Sequence, residues 1–480
     1  MNYVLEGLKP ERFWHYFEEI SRIPRGSGNE KGIADYLVAF AEKHGLYVYT
    51  DSIHNVFMRK EASKGYEGAE PLLLQGHTDM VCEKNADSDH DFLKDPIKLI
   101  VEDGWVRADG TTLGADNGNA VAYMLACLED DELIHPELEC LFTTNEEVGL
   151  DGAKAFDGSL VKSRRMINLD CGGEGTVTTS SAGGMILNAV RKMDMIPFTG
   201  SAIRIFVTGL AGGHSGGKIN EYLGNSNKIM GRILKAIGDV SIVSINGGSK
   251  DNAIPRECEA ICSVRDTEKA KAVVAKMEET IRKELGEADS GFRVITEDVV
   301  DPVLMADPDD SQKIIDFICI AFNGVLWMSH SIPGLVEASS NMGVITTTDE
   351  VVKITFSPRA SIDSINDESE MRIETLCRVM GFEFTSGSHY PSWEFMKDSP
   401  LRQMLLDIYK KQTGSEMKIR AVHGGLETGI FSSKIPGIDI VAIGPDAEGA
   451  HSPDERVNIS SVERVYKFLR EVIETCAKGM

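Results

Sequence analysis

Short apolar runs that end close to polar residues constrain the fold of this chain more than any other feature of its sequence. The runs and the residues that follow them are 71–75 with His77, 139–143 with Glu146 and Glu147, 165–169 with Asp170, and 438–443 with His451. Continuous apolar runs of this length are typical of buried strands in a parallel sheet. In open α/β sheets, ligands bind beyond the carboxyl ends of such strands. We therefore predict an α/β fold with a mixed, largely parallel sheet whose edge carries a functional site.

The middle of the chain follows a different pattern, in which longer alternating segments and Gly-rich turns replace the apolar runs. Alternation of polar and apolar residues indicates strands with one buried and one solvated face. We therefore predict a catalytic domain formed by residues 1–184 and 393–480, with an α+β domain inserted between them as residues 185–392.

Two segments inside the predicted insertion are similar to each other. In both, an Asn is followed by an alternating run and then by an Arg: Asn252 with Arg265, and Asn341 with Arg359. The spacing from Asn to Arg is 13 residues in the first segment and 18 in the second. This echo indicates an internal duplication of the inserted domain.

Composition excludes several classes of partner. The chain has 480 residues and a formal net charge of −25, which argues against nucleic acid and anionic membrane surfaces, because both are bound through Lys and Arg. Its nine cysteines form no CxxC pair, which is typical of reduced thiols in the cytosol. The N-terminus shows no signal-peptide pattern, and no apolar run approaches the roughly 18 residues of a membrane span. We predict a cytoplasmic protein.

Several polar residues near the predicted strand ends suit metal coordination, although each has a structural alternative. His77 and Asp79 form a His-x-Asp pair, in which the carboxylate would orient a metal-binding ring. Asp116 lies in a Gly-rich turn before a helix, where Asp is also a common N-cap. The adjacent Glu146 and Glu147 repel each other unless positive charge lies nearby. Capping and loop roles remain open for each residue taken alone.

As a set, these His, Asp and Glu positions predict a metal-dependent hydrolase. Two-metal sites bind their ions about 3.5–4 Å apart, with a carboxylate and a water between them. Zinc accepts nitrogen and oxygen ligands of this kind. In such a site, one carboxylate of the Glu pair would bind an ion while its neighbour accepts a proton from water.

Six segments of the sequence resemble the M20 family of metallopeptidases and, within it, the aminoacyl-histidine dipeptidase branch. They are ISRIPRGSGNE (20–30), LLLQGHTDMV (72–81), DGTTLGADNGNAVA (109–122), GLAGGHSGG (209–217), HGGLETG (423–429) and GAHSPDE (449–455). The resemblance extends over essentially the whole chain. It implies a catalytic domain of zinc-peptidase type, with the inserted domain as a lid.

The resemblance also implies roles for the candidate site residues. The metal ligands would be His77 and Asp170 for one ion, Glu147 and His451 for the other, and Asp116 as the bridge between them. Glu146 would be the general base that activates a water between the ions, and Asp79 would be the partner of His77. His214, in the inserted domain, would stabilise the oxyanion. A cis peptide bond is implied between Asp116 and Asn117.

Substrate contacts are predicted for a further set of polar residues. A dipeptide ends in a carboxylate, which Arg binds through a bidentate fork. Arg359 is the first candidate for this contact, and Arg265, at the echoed position, is the second. Glu427 would meet the substrate amino group, while Asn252 and Asn341 would add polar contacts. Each of these residues could instead have a structural role.

The predicted function is two-metal hydrolysis of the peptide bond of unblocked dipeptides, Xaa-His and others. The alternative is an amidase or deacylase of N-acyl amino acids in the same family, and a third possibility is a non-catalytic binding protein on the same fold. The resemblance implies two divalent ions per subunit, zinc with manganese or cobalt as alternatives. It also implies a homodimer formed through the lid.

Overall fold

The computed structural model describes residues 3–479, which form two compact units. Unit 1 comprises the chain up to Ser180, Phe395–Ala421, and the residues from Leu426 onwards. Unit 2 comprises Ser181–Glu394 and the short segment Val422–Gly425. Each unit has its own hydrophobic core.

The helices and strands follow in chain order. The first part of the chain contains α1 (Glu11–Ser21), α2 (Lys31–Lys43), β1 (Tyr47–Thr50), β2 (Val56–Lys60), β3 (Leu72–His77), β4 (Leu99–Glu102), β5 (Trp105–Ala108), α3 (Ala115–Glu129), β6 (Leu138–Thr143), α4 (Glu146–Gly149), α5 (Asp151–Ala155), β7 (Arg165–Asn168) and β8 (Thr176–Ser181). The middle part contains β9 (Gly183–Lys192), β10 (Met195–Pro197), β11 (Ser201–Thr208), β12 (Gly213–His214), α6 (Ser215–Lys218), α7 (Ser226–Ile237), β13 (Ser241–Gly247), β14 (Ala253–Ile254), β15 (Cys258–Val264), α8 (Thr267–Leu285), β16 (Arg293–Asp298), β17 (Leu304–Ala306), α9 (Pro308–Ile320), β18 (Gly324–Met328), β19 (Val336–Thr348), β20 (Val351–Ala360), α10 (Asp363–Met380) and β21 (Glu383–Tyr390). The last part contains α11 (Pro400–Thr413), β22 (Lys418–Val422), α12 (Glu427–Lys434), β23 (Asp439–Ala442), β24 (Ala447–Glu448), β25 (Arg456–Asn458) and α13 (Ile459–Lys478).

Unit 1 contains an eight-stranded sheet of order β1-β2-β6-β3-β7-β23-β8-β22. The neighbours β6, β3, β7 and β23 are parallel, whereas β1, β2 and β8 pair in antiparallel fashion. The four parallel strands are the four apolar runs, and nearly all of their residues are buried. Because parallel neighbours end at the same edge, the chain segments that follow them meet there. The predicted mixed α/β fold is confirmed.

Helix α3, which leads away from this edge, is buried on almost all sides. Helix α1 packs against it through Phe13, Phe17 and Ile20, whose spacing of three to four residues puts them on one helix face. The Phe13 ring lies 4.5 Å from the Tyr123 ring of α3, measured between centroids. Burial of one such side chain stabilises the fold by roughly 1.5–3 kcal/mol. This packing fixes the helix that begins beside Asp116.

Unit 2 is built on a nine-stranded antiparallel sheet of order β16-β11-β15-β13-β19-β20-β9-β21, with β18 paired to β19. The order is symmetric about its centre, because β16-β11-β15-β13 on one side matches β21-β9-β20-β19 on the other. The four matched strands of each half also occur in the same chain order, β11, β13, β15, β16 in one half and β9, β19, β20, β21 in the other, with the first half lying in the sequence between β9 and β19. This symmetry supports the internal duplication, which stays a prediction.

Between residues 3 and 479, no helix combines the length and the apolar character that crossing a membrane requires.

We expect Phe13→Ala to lower the free energy of unfolding by about 3–5 kcal/mol, because it removes a fully buried ring and leaves a cavity against α3. Urea unfolding followed by circular dichroism measures the effect. Leu93→Ala is the control, since Leu93 is 71% exposed and its truncation should change stability by less than about 0.5 kcal/mol. Equal effects of the two substitutions would contradict the packing role of Phe13.

Candidate metal centre

The carboxyl ends of the parallel strands bring several candidate residues of unit 1 together. His77 is the last residue of β3, Glu146 and Glu147 open α4 just after β6, and Asp170 follows β7. His77 Nε2 lies 3.2 Å from Asp116 Oδ1, 3.5 Å from Asp170 Oδ1 and 4.0 Å from Glu146 Oε2. The ring nitrogen therefore faces oxygens from three separate chain segments.

A second histidine approaches the same cluster from the C-terminal part of the chain. His451 Nε2 lies 3.1 Å from Glu147 Oε1 and 3.3 Å from Asp116 Oδ2. The two oxygens of Asp116 thus face different histidines, since Oδ1 faces His77. A carboxylate placed in this way can serve two cations at once.

The donor atoms form groups that fit a divalent cation. His77, Asp116 and Asp170 offer one group, and Asp116, Glu147 and His451 offer another; within each group the ligand atoms lie within 4.8 Å of one another. A third group of the same kind is formed by His77, Glu146 and Glu147. Imidazole nitrogens and carboxylate oxygens are ligands that zinc, manganese and cobalt accept.

The backbone at Asp116 departs from regular helical geometry within the first turn of α3. Gly114 has a φ of 70°, in the left-handed region that favours glycine, and Asp116 has non-helical angles of φ −85° and ψ 106°. The peptide bond between Asp116 and Asn117 is cis, as the resemblance implied. The regular helix therefore begins after the Asp116 side chain has been directed towards the histidines.

Asp79 connects His77 to the Glu pair. Its Oδ1 lies 3.4 Å from His77 Nδ1 and accepts the Glu146 N–H at 3.1 Å, while its Oδ2 accepts the Glu147 N–H at 3.3 Å. Ser27, which sequence reasoning missed, donates its hydroxyl to Asp79 Oδ2 at 2.8 Å. The backbone carbonyl of Asp79 lies closer to His77 Nδ1, at 3.1 Å, so carbonyl and carboxylate together fix the ring with Nε2 directed towards the ligand cluster.

Negative charge accumulates in this cluster. Burial, together with Asp170, Glu427 and Glu147, raises the pKa of Glu146 well above its ordinary value in spite of the opposing charge of His77. Burial likewise raises the pKa of Asp170 to about 6. Hydrogen bonds to Asp116 and Glu147 raise the pKa of His451 to about 10. The side chains therefore favour any added positive charge, as expected of a cation site.

Glu427 is completely buried, and its Oε2 accepts hydrogen bonds from Thr143 Oγ1 at 2.7 Å and Gln75 Nε2 at 2.5 Å. Gln75 and Thr143 belong to β3 and β6, the strands that lead to His77 and to the Glu pair. Burial raises the pKa of Glu427 to about 7. These contacts support a role in ordering the two strands, while Oε1, which is buried and has no hydrogen-bond partner among the described residues, stays available for the predicted contact with a substrate amine.

In unit 2, Arg359 belongs to a buried polar cluster. Arg359 is 8% exposed, and its Nη1 donates to the Tyr390 hydroxyl at 3.0 Å. Burial and the charge of Arg359 lower the pKa of His423 to about 3, and the Nε2 of that ring lies 2.7 Å from Ser339 Oγ. Sequence reasoning missed Tyr390 and His423, although His423 opens one of the quoted motifs.

His214 also lies in unit 2, where β12 pairs with β14. Its Nδ1 accepts the Gly216 N–H at 3.1 Å, which assigns the proton of a neutral ring to Nε2. Partial burial, followed by the charge of Arg359, lowers the pKa of the rather exposed His214 below its ordinary value, which favours the neutral form at pH 7. His214 is therefore a neutral hydrogen-bond donor.

The other predicted substrate residues of unit 2 have different surroundings. The Asn341 side chain is buried and donates to the carbonyls of Asp251 and Ala253, both at 2.8 Å, which supports a structural role. The Asn252 carbonyl accepts the Ser215 N–H at 2.9 Å. The Arg265 side chain is 85% exposed and lies 3.4 Å from Asp239. These contacts favour Arg359 over Arg265 as a buried anion-binding residue.

Known proteins resemble the chain in both sequence and fold. The sequence profile described as peptidase family M20/M25/M40 matches residues 73–475. The cytosol non-specific dipeptidase of Escherichia coli (strain K12) is 35% identical over 477 residues, which cover 98% of each chain. The crystal structure of aminoacylhistidine dipeptidase from Vibrio alginolyticus aligns with a TM-score of 0.91 and 34% identity, covering 98% of each chain. Aminopeptidase PepT from Bacillus cereus ATCC 10987 shares the fold, with a TM-score of 0.58 and 15% identity over 98% of this chain and 99% of its own.

We expect Glu427→Gln to remove a pH dependence from the stability of the metal-free protein. The pKa of Glu427 is about 7 in the folded state and about 4.3 in an unfolded chain, so the folded state binds a proton that the unfolded state releases. The free energy of unfolding of the wild type should therefore fall relative to Glu427→Gln between about pH 4.3 and 7, by at most about 3–4 kcal/mol, and change little above pH 7.

Urea unfolding in the presence of a chelator, at a series of pH values, measures this difference. Asp131→Asn is the control, because the Asp131 side chain is 98% exposed and its replacement should give no comparable trend. A difference between wild type and Glu427→Gln that does not vary with pH would contradict the prediction.

Proposed function

The chain belongs to peptidase family M20/M25/M40 and is a hydrolase that acts on peptide bonds, and from this premise we propose its substrate and mechanism. We propose that it hydrolyses the peptide bond of unblocked dipeptides, Xaa-His and others, with two divalent metal ions. The observation that carries the proposal is the Asp116 carboxylate, whose oxygens lie 3.2 Å from His77 Nε2 and 3.3 Å from His451 Nε2. The dipeptidases from Escherichia coli and Vibrio alginolyticus support the substrate class.

The metal ligands of the proposal follow from the two donor groups that share Asp116. His77 and Asp170 would bind one ion, and Glu147 and His451 the other. The donor set favours zinc, with manganese or cobalt as alternatives. When bound, the ions lower the pKa of a water towards neutrality and polarise the scissile carbonyl.

Glu146 is the proposed general base. Its carboxylate lies 4.0 Å from His77 Nε2, at the edge of the ligand cluster, and is adjacent in sequence to the ligand Glu147. Burial raises the pKa of Glu146, which makes it a better proton acceptor than an exposed carboxylate. Glu146 takes the proton of the attacking water and then delivers it to the leaving amine.

Two residues of unit 2 complete the proposed mechanism. His214 donates its Nε2–H to the carbonyl oxygen as negative charge develops there, because its neutral ring carries the proton on that nitrogen. Arg359 binds the terminal carboxylate of the dipeptide, with its guanidinium oriented by the Tyr390 hydroxyl. Arg265 is the alternative residue for this contact.

An amidase or deacylase of N-acyl amino acids is the second candidate function. The observation that favours it is that Gln75 and Thr143 already donate to Oε2 of Glu427, the carboxyl predicted to recognise the free amine of a dipeptide. Hydrolysis rates of an Xaa-His dipeptide and of an N-acetyl amino acid, compared on the zinc-loaded protein, separate the two functions. Faster cleavage of the acetylated compound would favour the deacylase.

We also propose a cytoplasmic location and a homodimer formed through unit 2. All nine cysteines are free thiols, which suits a reducing compartment, and the relative from Escherichia coli is described as cytosolic. The homodimer rests on the family resemblance alone. Sedimentation of the purified protein tests it.

Glu146→Gln should reduce kcat for an Xaa-His dipeptide at least about 100-fold, because the carboxamide cannot accept the proton of the attacking water. Its zinc content, measured by mass spectrometry, should stay close to that of the wild type, because Glu146 is not a proposed ligand. Glu147→Gln is the contrasting variant and should lose both zinc and activity. Activity of Glu146→Gln at the wild-type level would refute its role as the base.

Arg359→Lys should raise the KM of a dipeptide by about 10–100-fold, because Lys cannot form the bidentate contact with the terminal carboxylate. The same dipeptide with a C-terminal amide provides the sharper comparison. Wild type should prefer the free acid, and the variant should lose most of this preference. Arg265→Lys is the matched control and should keep the preference for the free acid. If Arg265→Lys loses this preference and Arg359→Lys keeps it, Arg265 is the residue that binds the carboxylate.

A further inference from the structure

Arg25 is a buried charged residue that the proposed mechanism does not use. It lies in segment 20–30, just after α1, and its side chain is 2% exposed. Its Nη1 donates to the Thr78 carbonyl at 2.9 Å, and its Nη2 donates to the Gly114 carbonyl at 2.6 Å. Nη1 also donates to the Asp79 carbonyl at a longer distance of 3.4 Å. Arg is rarely buried to this degree without a specific set of partners, so its carbonyl acceptors identify the segments that it stabilises.

The two carbonyls belong to segments that carry metal ligands. Thr78 directly follows His77, and Gly114 lies two residues before Asp116. A planar guanidinium donates in two fixed directions and can link both segments at once, whereas the single ammonium of Lys cannot reproduce that fork. Arg25 therefore fixes the separation between the His77 segment and the Asp116 segment.

Two glycines make room for the guanidinium. A Cβ atom at Gly114 would lie 2.5 Å from Arg25 Nη2, and one at Gly118 would lie 2.8 Å from the same atom. Both distances are too short for a normal contact, so any larger residue would displace Arg25. Gly118 lies within α3, where Gly is less favourable for helix formation than Ala by about 1 kcal/mol.

Glu455 also binds the backbone of the loop around Gly114, but it accepts N–H groups where Arg25 donates to carbonyls. It is 2% exposed, and its Oε2 accepts the N–H groups of Leu113 at 2.7 Å and Gly114 at 2.9 Å. Its Oε1 accepts the Asp116 N–H at 3.0 Å. Since Glu455 follows His451 by four residues, it links the His451 segment to the backbone of Asp116.

We propose that Arg25 and Glu455 are positioning residues that set the geometry of the metal centre. Arg25 binds the carbonyls beside His77 and Asp116, and Glu455 binds the N–H groups around Asp116 from the His451 segment. Together they fix the relative positions of the three segments that contain His77, Asp116 and His451. The inference rests on the proposed function only in requiring that divalent ions bind to His77, Asp116 and His451.

The test compares zinc affinity in Arg25→Lys and Glu455→Gln with that of the wild type, by competition against a chromophoric chelator. We expect each variant to bind zinc about 10–100-fold more weakly, the range typical of residues that orient metal ligands. The visible absorption spectrum of the cobalt-substituted protein should also change in band position or intensity, because the ligand geometry is altered.

Matched controls separate positioning from general stability. Arg402→Lys alters another buried guanidinium of unit 1 that donates to two backbone carbonyls, those of Met396 and Lys397. Glu139→Gln alters another buried carboxylate that accepts backbone N–H groups, those of Lys162 and Ser163. Both controls should lower the melting temperature while leaving zinc affinity and the cobalt spectrum unchanged.

Gly118→Ala tests the role of Arg25 without removing a charge or a donor, and it serves if Arg25→Lys does not fold. The added methyl should displace the guanidinium and weaken zinc binding, although Ala favours the helix.

The inference is overturned if Glu455→Gln and one of the two Arg25 tests, Arg25→Lys or Gly118→Ala, each bind zinc as tightly as the wild type and keep its cobalt spectrum. A wild-type protein that binds two zinc ions without cleaving dipeptides would refute the proposed function and leave this inference standing.

Discussion

The Asp116 carboxylate lies between two histidines, one from the first chain segment of unit 1 and one from its last segment. Its Oδ1 faces His77 and its Oδ2 faces His451. Much of the surrounding structure serves this arrangement. The left-handed Gly114 and the non-helical backbone of Asp116 turn the carboxylate out of α3 before the regular helix begins. Burial of α3 against α1 then fixes where that helix starts.

The concentration of carboxylates around Asp116 is unfavourable unless cations balance it. Asp170, Glu146 and Glu147 lie in one cluster with Asp116, and burial raises the pKa of Glu146 and Asp170. Folding places them together because the strands and the loops around them are fixed by other interactions, chiefly the apolar burial of the parallel strands. The site thus combines a stable scaffold with an unbalanced charge that favours metal binding.

Unit 2 contains a different set of polar residues. Its polar residues include a buried cation, Arg359, the buried His423 and the more exposed His214, and the pKa values of both histidines are lowered. Neutral imidazole and guanidinium groups donate hydrogen bonds, whereas the ligand cluster of unit 1 consists mainly of acceptors. The donors of unit 2 suit the binding of carbonyl and carboxylate oxygens, as the proposed roles of His214 and Arg359 require.

The sequence by itself determined the four central strands, because a continuous apolar run is a local property that directly predicts burial on both sheet faces. It also identified His77, Glu146, Glu147 and Asp170 as candidates, since residues that follow parallel strands must meet at one edge. Their assignment to metal-binding or catalytic roles came from the order of motifs and stays a proposal.

Tertiary structure alone decided which polar groups became partners across long stretches of chain. The contacts of Arg25 with Gly114 and of Glu455 with Asp116 join residues far apart in sequence, and no local pattern encodes them. The burial of Glu427 and the assignment of Val422–Gly425 to unit 2 were likewise not readable from the sequence. Periodicity reports which face of an element is buried, whereas the identity of a hydrogen-bond partner depends on how separate elements pack.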